Sequence, residues 1–310
     1  MGFDWMIVSE IVKWMLVVLF LSAVMYVHLR GRVRLNFWRQ LFDHSSVMAP
    51  INVFMFAFSR TPLTPFIAVE DFPDLLPLQQ HWREIRDEAL ALRDQEIIRA
   101  AQKNDDAGFN SFFKTGWKRF YLKWYGASHP SAEELCPRTV SILKNITSVK
   151  AAMFAELPPG GRLNRHRDPY GGSLRYHLGL VTPGDDRCFI EVDGQRYSWR
   201  DGQSVMFDET FIHNAENGSD QDRIILFCDI ERPMKYRWAQ AVNRFLGSTL
   251  VTAASSPNRA GDQTGLINKL FRYAWLVGQY RRRLKRWNKN VYLATKWALV
   301  AGIIGLIVIL

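Results

Sequence analysis

Two long apolar segments constrain most what this chain can fold into. Residues 7–29 are mostly apolar, and residues 291–310 form a second apolar run. About 20 apolar residues suffice for a helix to cross the hydrocarbon core of a bilayer. We therefore expect a transmembrane anchor within 1–29 and another over 291–310. A cleaved signal peptide fits the first segment poorly, because the basic residues follow the apolar run instead of preceding it.

The charges beside these segments predict their orientation. The formal net charge is +10, which favours a polyanionic partner such as an anionic membrane surface. The flanking basic residues are Arg30, Arg32, Arg34 and Arg39 after the first segment, and Arg281, Arg282, Arg283, Lys285, Arg286 and Lys289 before the second. By the positive-inside rule, both flanks and everything between them face the cytoplasm. Nucleic-acid binding is disfavoured, since these clusters flank membrane segments and no recognition motif is present.

Residues 30–148 are predicted to be a juxtamembrane, helical and aromatic region that packs on the core. The apolar patch 47–58 is too short to span a bilayer, so it lies in the interface, is re-entrant, or belongs to the core. Strong helix formers with helical spacing predict one helix over 78–104. The aromatic-rich run 112–126 predicts a buried pair of strands.

Residues 149–246 are predicted to form a β core. Short β-rich runs alternate with turn dipeptides such as Asp193-Gly194 and Asp201-Gly202. This spacing is typical of an antiparallel barrel or jelly roll, and the run 188–199 predicts a hairpin. Residues 247–290 then read as a linker followed by a basic juxtamembrane segment. The predicted fold class is mainly β, with flanking helices and a transmembrane helix at each end.

The cysteines favour a reducing compartment. Cys136, Cys188 and Cys228 are far apart, odd in number and without a CxxC pair. A disulfide framework or a zinc ribbon is therefore not expected. We predict that all three are small buried hydrophobic residues.

Three residues of the β-rich block predict a metal site. His166 and Asp168 form an H-x-D pair, and His213 follows 47 residues after His166. Two imidazoles and one carboxylate can occupy one face of iron(II), leaving the opposite face for a bidentate cosubstrate and dioxygen. Alternate side chains of an extended strand point the same way, which suits the H-x-D pair. The second histidine must come from another strand, as the long gap allows.

Arg223 predicts a binding group for the cosubstrate. It lies 10 residues after His213, and in a double-stranded β-helix this spacing places it on the strand beside that histidine. A planar guanidinium can hold the distal carboxylate of 2-oxoglutarate through two parallel hydrogen bonds. The alternative is a surface salt bridge with Asp220 or Asp222.

The stretch from about 153 to 233 resembles the aspartyl/asparaginyl β-hydroxylase family of 2-oxoglutarate dioxygenases. The runs LRYHLGLVTP, FDETFIHNAEN and RIILFCDIERP carry the resemblance. It implies a double-stranded β-helix dioxygenase core that uses Fe(II), 2-oxoglutarate and O2. It also implies that His166 and His213 bind the metal. Arg175 and His177 would contact 2-oxoglutarate, and Arg223 would hold its far carboxylate.

Further runs resemble the bacterial lipid A hydroxylases of this family. They are YVHLRGRVR, RQLFDHSSVMAPINVFMFAFSR and FIAVEDFPDL. The resemblance implies an inner-membrane enzyme that hydroxylates C2 of a secondary acyl chain of lipid A. Protein-modifying members have glycine where this chain has Asp168, so the carboxylate supports a full triad. Ala155 stands where the family uses a serine for the cosubstrate.

Three other functions stay open from the sequence. One is an aspartyl/asparaginyl hydroxylase acting on peptides, which two anchors and the lack of a peptide-binding extension disfavour. The second is a hydroxylase of an ornithine-type aminolipid. The third is a non-catalytic, cupin-like membrane sensor, which needs neither 2-oxoglutarate nor a redox metal.

Overall fold

The computed structural model describes residues 5–101, 106–127 and 129–309. The helices are α1 Trp5–Leu29, α2 Phe37–Leu41, α3 His44–Val47, α4 Ala49–Phe58, α5 Leu76–Gln80, α6 Trp82–Asp94, α7 Pro130–Leu135, α8 Pro137–Asn145, α9 Arg237–Leu246, α10 Leu266–Trp287 and α11 Lys289–Ile309. The strands are β1 Phe66–Ile67, β2 Lys118–Trp124, β3 Val149–Leu157, β4 Arg162–His166, β5 Ser173–Val181, β6 Cys188–Val192, β7 Gln195–Ser198, β8 Ser204–Phe207, β9 His213–Asn217 and β10 Arg223–Glu231.

The strands form two antiparallel sheets. One has the order β1-β8-β5-β10-β3-β2 and the other the order β4-β9-β6-β7. From β3 to β10 the chain passes repeatedly between the two sheets, in the strand order of a jelly roll. The prediction of an antiparallel β core is therefore confirmed. The last residue of β4 and the first of β9 face each other in the smaller sheet, and this places the candidate site between the sheets.

The larger sheet is covered on both faces. Along β3, Phe154 packs with the α6 residues Ile85 and Leu92 on the outer face. The neighbouring Met153 and Ala155 belong to the inner cluster between the sheets. This alternation follows from the two-residue period of a strand. Because both faces are buried, β3 is an almost continuous apolar run, as strands covered on both sides are.

The prediction of one helix over 78–104 was wrong. The helical region is divided at His81, and α6 ends at Asp94. Glu96 has a φ of 55°, and Arg99 then pairs with Arg119 of β2. Ile98 is buried in the core, so tertiary packing of this residue outweighs the helix propensity of the segment. Residues 102–104 of the predicted helix lie outside the described residues.

The aromatic run 112–126 is also not a pair of strands. Only its second half forms a strand, β2, while Phe113–Thr115 is a 3₁₀ turn. Gly116 ends that turn with a φ of 95°, a backbone conformation that glycine adopts without strain. The reversal brings Phe109 into a stacked contact with Trp117, with ring centroids 4.8 Å apart.

Two further predictions concern connections. The hairpin over 188–199 is confirmed, because β6 and β7 pair through a tight turn in which Asp193 and Gly194 have φ values of 51° and 83°. The segment expected as a linker is packed instead. It begins with helical turns at Gly247–Val251 and Thr252–Ala254, and the Trp124 indole donates a hydrogen bond to the Val251 carbonyl.

In the part of the chain that it describes, the structure supports a candidate membrane span in the N-terminal apolar segment but not in the C-terminal one. Within the described residues, Val8–Leu29 is the one helix long and apolar enough to cross a membrane. The C-terminal segment forms α11, but the side chains of 307–309 and the whole of Leu310 lie outside the described part, so a second crossing stays a prediction. The patch 47–58 contains α4, whose residues Ala49 and Phe56 pack against the last turns of α1.

Candidate active site

The three predicted metal ligands lie together between the sheets. His166 ends β4 and His213 begins β9, and the two are direct partners in the antiparallel register. Their ring centroids are 4.2 Å apart. One possible ligand atom from each of His166, Asp168 and His213 lies within 4.8 Å of the other two. This arrangement depends on the pairing of two strands that are distant along the chain.

Backbone contacts orient both imidazoles. Nδ1 of His166 lies 2.7 Å from the Asn164 carbonyl, and Nδ1 of His213 lies 3.0 Å from the Phe211 carbonyl. Because a carbonyl oxygen only accepts, each Nδ1 carries the hydrogen and each Nε2 is left as a ligand atom. Burial lowers the pKa of His166, and burial together with the neighbouring His166 lowers the pKa of His213 to about 3. Both rings are therefore neutral, as metal ligation requires.

The carboxylate of Asp168 is positioned by Arg175. Nη2 of Arg175 donates a 2.8 Å hydrogen bond to Oδ2 of Asp168, while Oδ1 lies 3.6 Å from Nε2 of His166. Burial alone would raise the pKa of Asp168, but the positive charge of Arg175 and the hydrogen bond that it donates lower it. The carboxylate is thus ionised, with one oxygen directed toward the histidine nitrogens.

Arg175 lies within a cluster of acids. Besides Asp168, its guanidinium contacts Glu209 and donates a 2.9 Å hydrogen bond from Nε to Asp229. It also lies 3.7 Å from the ring centre of Phe227. Burial, followed by the nearby acids, raises the pKa of Glu209 well above its usual range. The contact of Arg175 with 2-oxoglutarate stays a prediction, while its visible contacts hold Asp168 in place.

Arg223 lines a cavity between the sheets that His166, Asp168 and His213 also line. It begins β10, in the sheet opposite His213, and not on a neighbouring strand as expected. The chain crosses between the sheets at 218–222, which explains the difference. The alternative of a surface salt bridge was wrong, because Arg223 is 2% exposed and no ion pair within the described ranges includes it. Its guanidinium lies 4.5 Å from the ring centre of Trp199.

The charge of Arg223 has little compensation from the protein. Its Nε is buried without a hydrogen-bond partner among the described residues. Burial lowers the pKa of Arg223 to about 10, so the guanidinium stays charged near neutral pH. A buried cation needs an opposite charge. A carboxylate of a bound ligand would provide it.

His177 lines the same cavity as Arg223, and both residues lie near the ring of Trp199. The ring of His177 lies 5.1 Å from that of Phe207 and 5.3 Å from that of Phe227, measured between centroids. Neither ring nitrogen has a hydrogen-bond partner in the described part of the chain. Burial, then the charges of Arg175 and Arg223, lowers the pKa of His177 well below its usual value. The neutral imidazole offers one donor and one acceptor to a ligand.

Sequence reasoning missed several residues of the site. Phe112 lies 4.6 Å from His166 between ring centroids, but its aromatic run had been interpreted as strands. Glu209 and Asp229 were not singled out, although a buried arginine requires acidic partners. Both lie in runs that carry the family resemblance, Glu209 four residues before His213 and Asp229 six residues after Arg223.

The residues fit a metal ion and a dicarboxylate. Two neutral imidazoles and an ionised carboxylate are the donor set of non-haem iron(II) oxygenases. The unpartnered polar atoms of His177 and Arg223, on the same cavity wall, suit an anionic ligand. Ala155 also lines this cavity, so the chain offers no hydroxyl at that position.

Comparison with known proteins places the chain in a family. A family model for aspartyl/asparaginyl beta-hydroxylase matches residues 79–233, half of the chain. The chain is 33% identical over 174 residues to an ornithine lipid ester-linked acyl 2-hydroxylase of Rhizobium tropici, covering 55% of this chain and 62% of that protein. It is 27% identical over 161 residues to the human aspartyl/asparaginyl beta-hydroxylase, covering 50% of this chain and 21% of the human protein.

A solved structure is also similar at a low level. The crystal structure of a Pseudomonas putida prolyl-4-hydroxylase is matched over 50% of this chain and 88% of that one, with 16% identity and a TM-score of 0.33. A TM-score this low does not establish a relationship. The family match is stronger, since its segment 79–233 includes every site residue described above. The chain belongs to the aspartyl/asparaginyl β-hydroxylase family.

Proposed function

We propose that this chain is an iron(II)- and 2-oxoglutarate-dependent dioxygenase that hydroxylates C2 of an acyl chain on a membrane lipid. The substrate we favour is a secondary acyl chain of lipid A, at the cytoplasmic face of the bacterial inner membrane. The observation that carries the proposal is the convergence of His166, Asp168 and His213, whose ligand atoms lie within 4.8 Å of one another.

Each part of the site has a separate task in this proposal. When bound, ferrous iron with 2-oxoglutarate and dioxygen inserts one oxygen atom into a C–H bond, while 2-oxoglutarate is converted to succinate and carbon dioxide. The hydrogen bonds from Nδ1 of His166 and His213 keep each Nε2 directed inward. The hydrogen bond from Arg175 keeps one oxygen of Asp168 available.

The opposite wall of the cavity binds and orients the cosubstrate. Arg223 offers a buried positive charge to the distal carboxylate, and the flat ring of Trp199 beside it restricts the guanidinium. His177 offers a neutral N–H donor. The rings of Phe109 and Phe112 line the same cavity, and they exclude water from the reacting groups.

Two observations favour a lipid over a peptide substrate. The similar Rhizobium tropici protein is named for an acyl 2-hydroxylase activity on ornithine lipid. In addition, Nη1 of Arg167, between the two ligands of the H-x-D pair, donates a 2.5 Å hydrogen bond to the Val27 carbonyl in the last turn of α1. The metal ligands are thus adjacent to the end of the candidate membrane span. A substrate confined to the bilayer suits this placement.

The cofactor assignment is tested with purified full-length protein in detergent. His166→Ala should abolish 2-oxoglutarate turnover, whereas His81→Ala, at an exposed position between α5 and α6, should leave it unchanged. Arg223→Leu should raise KM for 2-oxoglutarate about ten- to a hundred-fold, since hydrogen bonds to a charged group contribute about 1.5–3 kcal/mol. The matched control is Arg162→Leu, an exposed arginine on β4. Full activity of His166→Ala would reject the metal assignment. Absence of 2-oxoglutarate turnover in the unsubstituted protein would favour the sensor.

The substrate is tested by mass spectrometry of lipids from cells with and without the gene. Gain of one oxygen atom on a secondary acyl chain of lipid A supports the favoured substrate. Gain of one oxygen atom on an ornithine-type lipid would support the hydroxylation chemistry but reject lipid A as the substrate. The similar Rhizobium tropici protein, named for ornithine lipid, is the reason to include this lipid in the test. Lipids unchanged in mass, with hydroxylated aspartyl or asparaginyl residues in a protein, would reject the lipid proposal.

A further inference from the structure

An outward-facing apolar stripe lies on α9. Trp238, Val242 and Phe245 are spaced i, i+4 and i+7, so they share one helix face, and all three are exposed. The buried face of the same helix contains the small Ala239 and the polar Asn243. This is the reverse of the usual arrangement in water, where the apolar face of a surface helix packs inward.

The stripe is joined to the candidate membrane span through α4. The ring of Trp238 lies 5.8 Å from that of Phe54 and 4.8 Å from that of Phe58, between centroids. On its other side, α4 packs through Phe56 against Ala23, Val24 and Val27 of α1. α4 therefore packs between α1 and α9, and the three helices form one continuous surface.

The contact between α1 and α4 sets a depth for this surface. Ala23 lies six residues before Leu29, where the candidate span ends. At 1.5 Å per residue the α4 contact extends about 9 Å into the span. An interfacial helix buries its apolar face about 5–10 Å into the boundary between headgroups and acyl chains. α4 is thus at the depth of that boundary, and α9 is its direct neighbour.

Residue types on and near α9 match a membrane interface. Tryptophan and tyrosine are enriched where acyl chains meet headgroups, and Tyr236 stacks on Trp238 with ring planes 8° apart. Lys235 and Arg237 are exposed beside the stripe. Basic side chains next to an apolar face favour anionic lipid headgroups.

From these observations we infer that the exposed stripe of α9, formed by Trp238, Val242 and Phe245, inserts into the interface of an anionic lipid bilayer beside α1. This inference rests on the proposed membrane function and deepens it. Asn52 of α4 bonds both the Pro169 carbonyl and the Gly171 amide, in the loop after the H-x-D pair. Insertion of the α9 stripe at the boundary between headgroups and acyl chains would therefore hold the candidate active site at the depth of the acyl carbonyl, next to C2.

The depth of the stripe is measured by electron paramagnetic resonance on full-length protein in vesicles of phosphatidylethanolamine and phosphatidylglycerol. Trp238→Cys and Phe245→Cys each receive a nitroxide label. The native thiols are buried, so labelling is confined to the new cysteine. Val18→Cys, within α1, reports the bilayer interior, and Asp87→Cys, at an exposed charged position on α6, reports the aqueous side.

We expect labels at 238 and 245 to be more accessible to oxygen, and less accessible to an aqueous nickel chelate, than the label at 87. Aqueous values at 238 and 245 with a bilayer value at 18 would overturn the interface while leaving the membrane function intact. An aqueous value at 18 would overturn both. Spin–spin broadening at 238 that disappears on dilution with unlabelled protein would assign the stripe to a second copy of the chain and reject the inference.

Discussion

Replacing Arg167 with methionine should weaken metal binding without destabilising the fold. Arg167 lies between His166 and Asp168, but its side chain points away from them and is buried. Nη1 donates its 2.5 Å hydrogen bond to the Val27 carbonyl, one of the helix-end carbonyls that lack an intrahelical donor. The Arg167 carbonyl in turn lies 2.9 Å from Nε2 of His44. The ligand loop is thus held by contacts with the last turn of α1 and with α3.

The size of the effect follows from this one charged hydrogen bond. Such a bond contributes about 1.5–3 kcal/mol, and about 1.4 kcal/mol corresponds to a factor of ten in affinity. If the bond holds the ligand loop in its binding geometry, its loss should weaken metal binding about ten- to a hundred-fold. Loss of groups that orient metal ligands typically has this magnitude.

The same substitution should change Tm little. Nε and Nη2 of Arg167 are buried without hydrogen-bond partners among the described residues, so the charge has a desolvation cost that methionine removes. Methionine also keeps most of the apolar stem and adapts to irregular space. Loss of the hydrogen bond lowers the free energy of unfolding, while removal of the buried charge raises it, so the two effects oppose each other. Only the loss of the hydrogen bond affects how the metal ligands are positioned.

The assay is calorimetric titration of full-length protein in detergent with Mn(II), which needs no turnover. Arg165→Met is the matched control, because Arg165 flanks His166 on the other side but is exposed in a pair with Glu191. Exposed pairs contribute at most about 1 kcal/mol, so its affinity should be near that of the parent. Unchanged affinity in Arg167→Met, or a fall in affinity matched by a large fall in Tm, would refute the reasoning.

Three other outcomes are expected. Gly31→Ala should lower stability by about 1–3 kcal/mol, because Gly31 has a φ of 85° and a Cβ there would lie 2.6 Å from Oδ1 of Asp193; Gly108→Ala, in open space, should have little effect on Tm. Asp208→Asn should lower stability by about 3–5 kcal/mol at neutral pH, since Asp208 is buried against Arg232 at 2.9 Å. Burial alone would raise the pKa of Asp208, but the charges of Arg232 and Arg30 lower it below its unfolded value of 3.8. Its stabilisation is therefore present above about pH 4 and lost as pH falls toward the folded pKa, so Tm of the asparagine variant should depend less on pH below pH 4. The three thiols should react with a thiol reagent at pH 8 only after denaturation, because burial raises the pKa of each; rapid labelling of native protein would contradict this.

Features with a local signature could be predicted from the sequence. The Asp193-Gly194 turn needs two residues that tolerate positive φ, and turn dipeptides at short intervals separate the β-rich runs of the core. The apolar length of 8–29 is sufficient to identify a candidate span. Residue type and spacing also singled out His166, Asp168 and His213, which the structure brings together.

Features that depend on packing between distant segments were decided by the tertiary structure. Propensity favoured a helix up to 104, but burial of Ile98 ends it at Asp94. Residue counting placed Arg223 beside His213, whereas the crossing between sheets places it opposite.

The acidic partners of Arg175 and the contact between Arg167 and α1 likewise have no local pattern. They join residues 34 and 54 positions apart in the first case and 140 in the second. Periodicity and turn chemistry act over a few residues, while burial and charge pairing are satisfied by whichever groups the fold brings near. The sequence by itself therefore determined the antiparallel β core, the candidate membrane span and the candidate ligands. Only the packing of the elements decided where some of them end, how the ligands are held and where they lie relative to α1.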